Sequence, residues 1–268
     1  MDASYKDTNC FPKELWLERE LREYSPRISK EEVEEWGESS AFGVAIYDCQ
    51  SVEDPSQKAR LLVYMQVPYD GATSLPPRLR SQQATHEWHG CAKDDLEIWK
   101  RLSRCRDVFS ARLLGYEEKL QGDEDPVPGG WALYCLLTKV PGVALGTGVL
   151  YQENGHNVQE GCFWDLDRPT RDEIRRQLEI IVRGLYAAGV SVSLGGLKSL
   201  FWDDDAKRLY IDAAFELSPD GYTNKRRPWS LTWFDSYGLA KSPVESKARS
   251  RAKQDVTIPE LESEGWKF

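Results

Sequence analysis

The chain has 268 residues, a net charge of −9 and an aromatic content of 11%, with ten Trp. That length buries a core as one large domain or two lobes, and that aromatic content excludes a disordered tail. The acidic balance disfavours a general nucleic-acid binder, and no run of about 18 apolar residues is present to cross a membrane.

The opening residues, MDASYKDTNCFPKELW, lack a basic patch ahead of an apolar stretch, so no secretory signal is expected. Six Cys (10, 49, 91, 105, 135 and 162) form no C-x-x-C pair and no obvious disulfide framework. They fit buried small apolar residues in a reducing cytosol, and a cytoplasmic location is expected.

Residues 12–36 read as one or two helices. Leu17, Leu21 and Tyr24 share a face at i, i+4, i+7. Ser29-Lys30-Glu31-Glu32 is a capping box that opens a second short helix toward Trp36. Residues 41–49 alternate into a strand and 60–67 form another, with a turn at Glu53-Asp54-Pro55-Ser56. The region 69–77 is loop. Residues 86–105 contain a helix that buries Ile98, Leu102 and Cys105. Residues 110–117 and 131–139 are strands joined by an acidic Pro/Gly loop, ending at Val140-Pro141-Gly142.

The clearest helix is 170–188, opened by Thr170-Arg171-Asp172-Glu173 after Pro169. Ile174, Leu178, Ile181, Val182 and Leu185 form its apolar stripe, and Gly189 stops it. A loop, an apolar strand at Leu200-Phe201-Trp202, an acidic turn and a second strand follow. After residue 217 the chain is short and polar, with aromatics at 229, 233 and 234.

This order resembles the catalytic core of a large fungal family of protein-kinase-like proteins, over roughly residues 40–217. The resemblance is carried by Glu97-Ile98-Trp99-Lys100-Arg101-Leu102, Leu113-Leu114-Gly115-Tyr116-Glu117, Pro126-Val127-Pro128-Gly129-Gly130-Trp131, Lys139-Val140-Pro141-Gly142 and Phe163-Trp164-Asp165-Leu166-Asp167. It implies an α+β, two-lobed protein-kinase-like fold with a truncated C-lobe and accessory N-terminal helices. The expected division is 1–40 for those helices, 41–142 for the N-lobe and 143–268 for the C-lobe.

The resemblance also shows what is missing. In a kinase the loop reads H-x-D-x-x-x-x-N. Here the His position is Val192, the Asp position Leu194 and the Asn position Ser199. The D-F-G position reads Ala214-Phe215-Glu216, or Ala213-Ala214-Phe215 without a gap. The strand 60–67 carries no Lys at its apolar centre, and no G-x-G-x-x-G precedes it; Gly146-Thr147-Gly148 is an incomplete echo elsewhere. Both phosphate-gripping elements and the metal holders are therefore absent, and ATP-dependent phosphotransfer is not expected.

The remaining candidates are few. Ser193 and Ser199 could act as nucleophiles with the amides of Gly195 and Gly196 as donors, although no His lies near them in sequence; plain loop serines are the alternative. Asp203, Asp204 and Asp205 read as a turn. Asp212 interrupts an apolar strand, and a carboxylate buried there needs a partner. With Glu216 it forms a catalytic candidate set, and Glu97 with Asp203 a substrate-binding one. Glu97 occupies the position of the acid that pairs with the strand Lys in a kinase. His86 and His89 could share a helix face, but no fourth ligand has a familiar spacing, and no metal is expected.

Basic residues cluster at Lys225-Arg226-Arg227, at Lys247, Arg249, Arg251 and Lys253, and along the long helix at Arg168, Arg171, Arg175, Arg176 and Arg183. Such clusters are ordinarily solvated faces; a polyanion contact is the alternative.

Three functions are compatible with these residues. The first is a biosynthetic transferase without phosphotransfer, of the class of fungal arginine-containing cyclodipeptide synthases. It would use an aminoacyl or other small-molecule substrate, with no cofactor, and aminoacyl-tRNA as the donor. Arg175, Lys225, Arg226 and Arg227 would contact the tRNA. The second is a catalytically inactive regulatory pseudokinase, an interaction module presenting Trp229 and Trp233. The third is a residual small-molecule kinase holding metal through Asp212. Partner and oligomeric state stay open.

Overall fold

The computed structural model describes residues 15–105, 109–218, 231–243 and 257–268. Their chain is mixed α and β with antiparallel sheets, and it divides into two compact units. The first comprises Met1–Arg104 and Arg112–Lys139, and the second Cys105–Ala111 and Val140–Phe268. Among the described residues no helix is long and apolar enough to cross a membrane.

The first unit is built on a five-stranded sheet. Its strands are β1 (Leu15–Tyr24), β2 (Phe42–Ser51), β3 (Lys58–Gln66), β4 (Leu113–Leu120) and β5 (Trp131–Thr138), in the spatial order β1-β2-β3-β5-β4. Helix α1 (Lys30–Glu35) follows β1, the short α2 (Pro77–Arg80) follows β3, and α3 (Gly90–Ser103) connects the sheet's third and fourth strands. The Ser29 capping box is present, with its side chain and that of Glu32 exchanging bonds with each other's backbone.

The helix expected around Leu17, Leu21 and Tyr24 is instead β1, paired along its length with β2. Two register shifts, between Leu17 and Arg19 and between Glu20 and Arg22, break the period-two alternation. What remains in the sequence is an apolar spacing that imitates a helical turn. Leu17 and Tyr24 are about half exposed, at 49% and 47%, so they do not form the buried face that the helical reading requires. The N-terminal region therefore contributes an edge strand and one short helix.

A buried amide network shapes the loop between β4 and β5. The Gln121 side chain donates to the Gln66 and Trp131 carbonyls at 2.9 and 3.1 Å and accepts from the Val127 amide at 2.8 Å. Gln66 in turn donates to the Gln83 carbonyl at 2.6 Å and accepts from the Thr85 amide at 3.0 Å. The buried Trp131 indole donates to Ser40 Oγ at 3.0 Å. Each of these buried polar groups is thereby satisfied, which holds the loops at this end of the sheet in one arrangement.

The second unit is organised around α4 (Arg168–Ala187). It contains the short strands β6 (Val143–Ala144), β7 (Leu150–Glu153) and β8 (His156–Gln159), then β9 (Val190–Leu194), β10 (Leu200–Asp203), β11 (Arg208–Ile211) and β12 (Ala214–Leu217). Helix α5 (Thr232–Ser236), β13 (Ser242–Pro243) and α6 (Ile258–Ser263) complete it. The strands pair as β11-β10-β6, β12-β9 and β13-β8-β7.

Helix α4 is the helix expected at 170–188, with Ile174, Leu178 and Leu185 buried. Its cap is not Thr170, however. Asp167 accepts from the Thr170 amide at 2.8 Å, and Pro169 lies in the first turn, where its missing N–H is not needed. Gly189, at φ +70°, supplies the left-handed residue that ends the helix.

Gly142 has a similar role before β6. Its φ is +84°, and a Cβ there would overlap the Trp202 carbonyl of β10. Gly142→Ala is expected to cost more than about 2 kcal/mol, combining left-handed strain with that overlap. A lowered urea midpoint with an unchanged slope checks this; an unchanged midpoint contradicts it.

Candidate functional site

The segment from 190 to 217 forms two small strand pairs. The first five residues of the expected loop, Val190–Leu194, are strand β9, antiparallel to β12; a single 3-10 turn over Leu197–Ser199 then leads into β10. This geometry commits most of the polar side chains singled out in the sequence.

Ser193 is exposed on β9, and its hydroxyl donates to the Ala214 carbonyl at 3.1 Å. Ser199 is buried, and its carbonyl accepts from the Asp212 amide at 2.9 Å. Neither serine has a histidine bonded to its hydroxyl. His89 caps α3, and His156 sets its ring nitrogens 2.9 and 2.8 Å from the carbonyls of Asn154 and Gly265. The segment that holds the glycine pair is closely packed. Gln159 Oε1 accepts from the Leu197 amide at 2.8 Å, and a Cβ on Gly195 would press on the Tyr237 ring. The 195–197 segment is thus a packed turn.

Asp203 closes the β10–β11 hairpin by accepting from the amides of Asp205 and Ala206 at 3.1 and 3.0 Å. Asp204 accepts from the Trp202 indole at 3.0 Å and from Lys207 at 2.7 Å; chiefly through the lysine, its carboxyl is held below its ordinary pKa. Asp212 does not interrupt a strand. It follows the last residue of β11 and is half-buried. Glu216 is exposed on β12. Among the described residues no group of three or more His, Cys, Asp or Glu is placed to hold a metal.

The basic face of α4 is laced by ion pairs. Arg168 meets Asp172 at 2.7 Å and Glu262 at 3.3 Å, Arg176 meets Glu173 at 2.6 Å, and Arg183 meets Glu179 at 2.8 Å. Arg175 is not on that face, since it is only 2% exposed. Its Nε donates to the Leu239 carbonyl at 2.9 Å, its Nη1 meets Asp172 at 2.6 Å, and its guanidinium lies over the rings of Phe163 and Phe268. Burial is the main reason its pKa falls to about 10. A guanidinium held in this way is turned away from any polyanion and serves as a strut. Lys225, Arg226, Arg227 and Trp229 lie outside the described residues, as do Lys247, Arg249, Arg251 and Lys253. Trp233 is half-buried, stacked on Tyr237 and edge-on to Tyr186, and does not present a free aromatic face.

In the first unit, Glu97 pairs with Arg101 on its own helix at 2.8 Å. The link between α3 and β3 is made by other residues. The Tyr64 hydroxyl donates to Asp95 Oδ2 at 2.8 Å and is also hydrogen-bonded to Trp99. Tyr64 is buried and Asp95 part-buried. Burial raises the Asp95 pKa to about 6, against the lowering effect of the Tyr64 bond. Burial also raises the nearby Cys135 thiol to about 12, with the Asp95 charge adding to the shift. A hydroxyl thus meets a carboxyl between β3 and α3.

Sequence reasoning missed this pair. The available signal was the spacing of Ala92, Leu96, Trp99 and Ser103, all buried on α3, which sets Asp95 on the inward face beside Leu96. His89 was also misplaced. It stands just before α3, where its Nδ1 accepts from the Cys91 amide at 3.2 Å and its ring stacks on Phe42 at 4.2 Å. Desolvation holds its pKa below the ordinary value, against the pull of Glu38. His86 is exposed outside the helix, so the two do not share a helical face.

No family model matches the chain, and no curated protein matches it. Among solved structures, the chain is similar to the Cydia pomonella granulovirus kinase PK-1, with a TM-score of 0.39 and 13% identity, over 84% of this chain and 67% of that one.

Proposed function

We propose that this chain is a kinase-like binding module that does not transfer phosphate. The element order supports the kinase-like part of the reading. A five-stranded antiparallel sheet carries α3 between β3 and β4, and the long helix α4, with one face buried, precedes the segment where the catalytic loop motif would stand. The observation that carries the non-catalytic part is the Tyr64–Asp95 pair. It supplies no cation to a triphosphate, and Asp95 sits where burial opposes its charge.

The tRNA-dependent transferase reading draws on Asp212 and Glu216 in the second unit and on the run Lys225–Arg226–Arg227. Its proposed nucleophiles, Ser193 and Ser199, are respectively bonded to a backbone carbonyl and buried, and neither has a base. The residual-kinase reading would have Asp212 hold metal.

A thermal melt with millimolar Mg-ATP tests the binding side of the proposal. A ligand at about 100 times its Kd stabilises by about 2.7 kcal/mol, or a Tm rise of several degrees. No rise is expected here. A rise of that size, dependent on Mg²⁺, would overturn the reading and favour a residual kinase. Product formation from arginyl-tRNA would favour the transferase.

A further inference from the structure

The first unit holds a cavity of about 720 Å³ on the sheet face opposite α3. Alternation places it there. Leu62, Tyr64 and Gln66 point toward α3, so Val63, Met65 and Val67 point the other way. Toward one end of that opposite face, Cys49, Leu61 and Val63 pack with Leu15, Tyr47, Met65 and Tyr134. Toward the other end the β2 side chains shrink, from Tyr47 to Ala45 to Gly43. Ala45, Tyr47 and Met65 are only half-buried, although β2 and β3 are interior strands. Apolar side chains in the middle of a sheet are thus left partly uncovered, beside a volume that suits a small molecule.

The walls are pre-formed. The Asp70 amide donates to the Ile28 carbonyl at 2.8 Å, tying the loop after β3 to the segment before α1. The Tyr69 amide donates to Gln83 Oε1 at 3.0 Å. Pro126 stands in the loop held by Gln121, and Pro26 and Pro68 stiffen the other two walls. A rigid cavity spares a ligand the ordering cost of closing it.

Charge narrows the ligand. Glu23 and Asp70 are exposed at the cavity, with Arg27 as the one cation among its described lining residues. Tyr47, in the lining, registers the field: burial raises its pKa, and the charges of Glu20 and Glu23 on the neighbouring strand raise it further. The apolar floor asks for a flat or aromatic body, and the acidic rim asks for a positive charge at its end.

We propose that this cavity binds a small organic cation, an ammonium or guanidinium carried on an aromatic or apolar body. The amphipathic body lies on Ala45, Tyr47 and Met65, and its charge lies toward Glu23 and Asp70. This site does not depend on the phosphotransfer reading, because it uses none of the residues that distinguish a kinase.

The chain contains two methionines, Met1 and Met65, so methyl-labelled Met gives one resonance inside the cavity, told from that of Met1 by its loss in Met65→Leu. Tryptamine is the probe, with indole-3-propionate as its matched anion. Titration with tryptamine is expected to move the Met65 methyl saturably. The anion is expected to bind at least about tenfold more weakly, and added salt to narrow the difference. Glu23→Gln with Asp70→Asn should weaken tryptamine binding severalfold while leaving the melt unchanged. Ala45→Phe should abolish the shift by filling the floor. Absence of saturation with wild type, equal affinity for the two probes, or full binding by the double carboxylate variant would each overturn the proposal. If Ala45→Phe fails to fold, the rim variant and the probe pair still decide it.

Discussion

Asp95→Asn is expected to stabilise the protein above pH 7 by about 2–3 kcal/mol, and to leave stability nearly unchanged near pH 4. The folded-state pKa of Asp95 is about 6, raised from 3.8 mainly by burial. A raised acid stabilises the fold fully below its unfolded value. That contribution is lost as pH climbs from about 4 through about 6, because the unfolded chain gives up the proton first. The amide removes this slope and still offers an oxygen to the Tyr64 hydroxyl.

The groups around Asp95 do not reproduce the effect. Tyr64 and Cys135 titrate far above this range, and Cys91 is raised too, principally by burial. Asp94 adds a like charge from the same helix. Urea midpoints at pH 4, 6 and 8 measure the difference. A variant less stable than wild type at pH 8 would mean that the Asp95 charge is paired and useful, which would restore the case for a cation at this position.

Arg175→Ala is expected to lower stability by about 3–5 kcal/mol, enough to unfold a marginal domain. It leaves the Leu239 carbonyl without its donor and opens a void between Phe163 and Phe268. Arg175→Met fills the void and should recover a large part of the loss. Arg176→Ala, on the exposed face with its Glu173 partner, should change stability by under about 1 kcal/mol. Chemical denaturation of the three variants distinguishes a strut from a polyanion contact. If Arg175→Ala is as mild as Arg176→Ala and instead weakens tRNA binding, the buried role is wrong.

Local signals that agreed with their surroundings were legible in the sequence. The stripe on α4 was strong because Ile174, Leu178 and Leu185 all face one core. The hairpin of β2 and β3 was legible from alternation and a turn. Strand β1 was not, because its two register shifts erase the period-two pattern. Arg175 was grouped with the charged face, since nothing local reveals that residues 60 or more positions later, Leu239 and Phe268, close over it. The polar candidates around 193–216 were legible as residue types, but their hydrogen-bond partners are set by strand pairings that no local pattern specifies. Asp95 was overshadowed by Glu97, which holds the aligned position two residues away but pairs within its own helix.

The absence of phosphoryl transfer is tested most directly by incubating the purified chain with γ-labelled ATP and either Mg²⁺ or Mn²⁺, alone and with arginine or a generic protein acceptor. With a hydroxyl–carboxyl pair between β3 and α3, labelled product is expected to stay at the level of the buffer. Metal-dependent transfer well above that level, lost in Asp212→Asn, would contradict it.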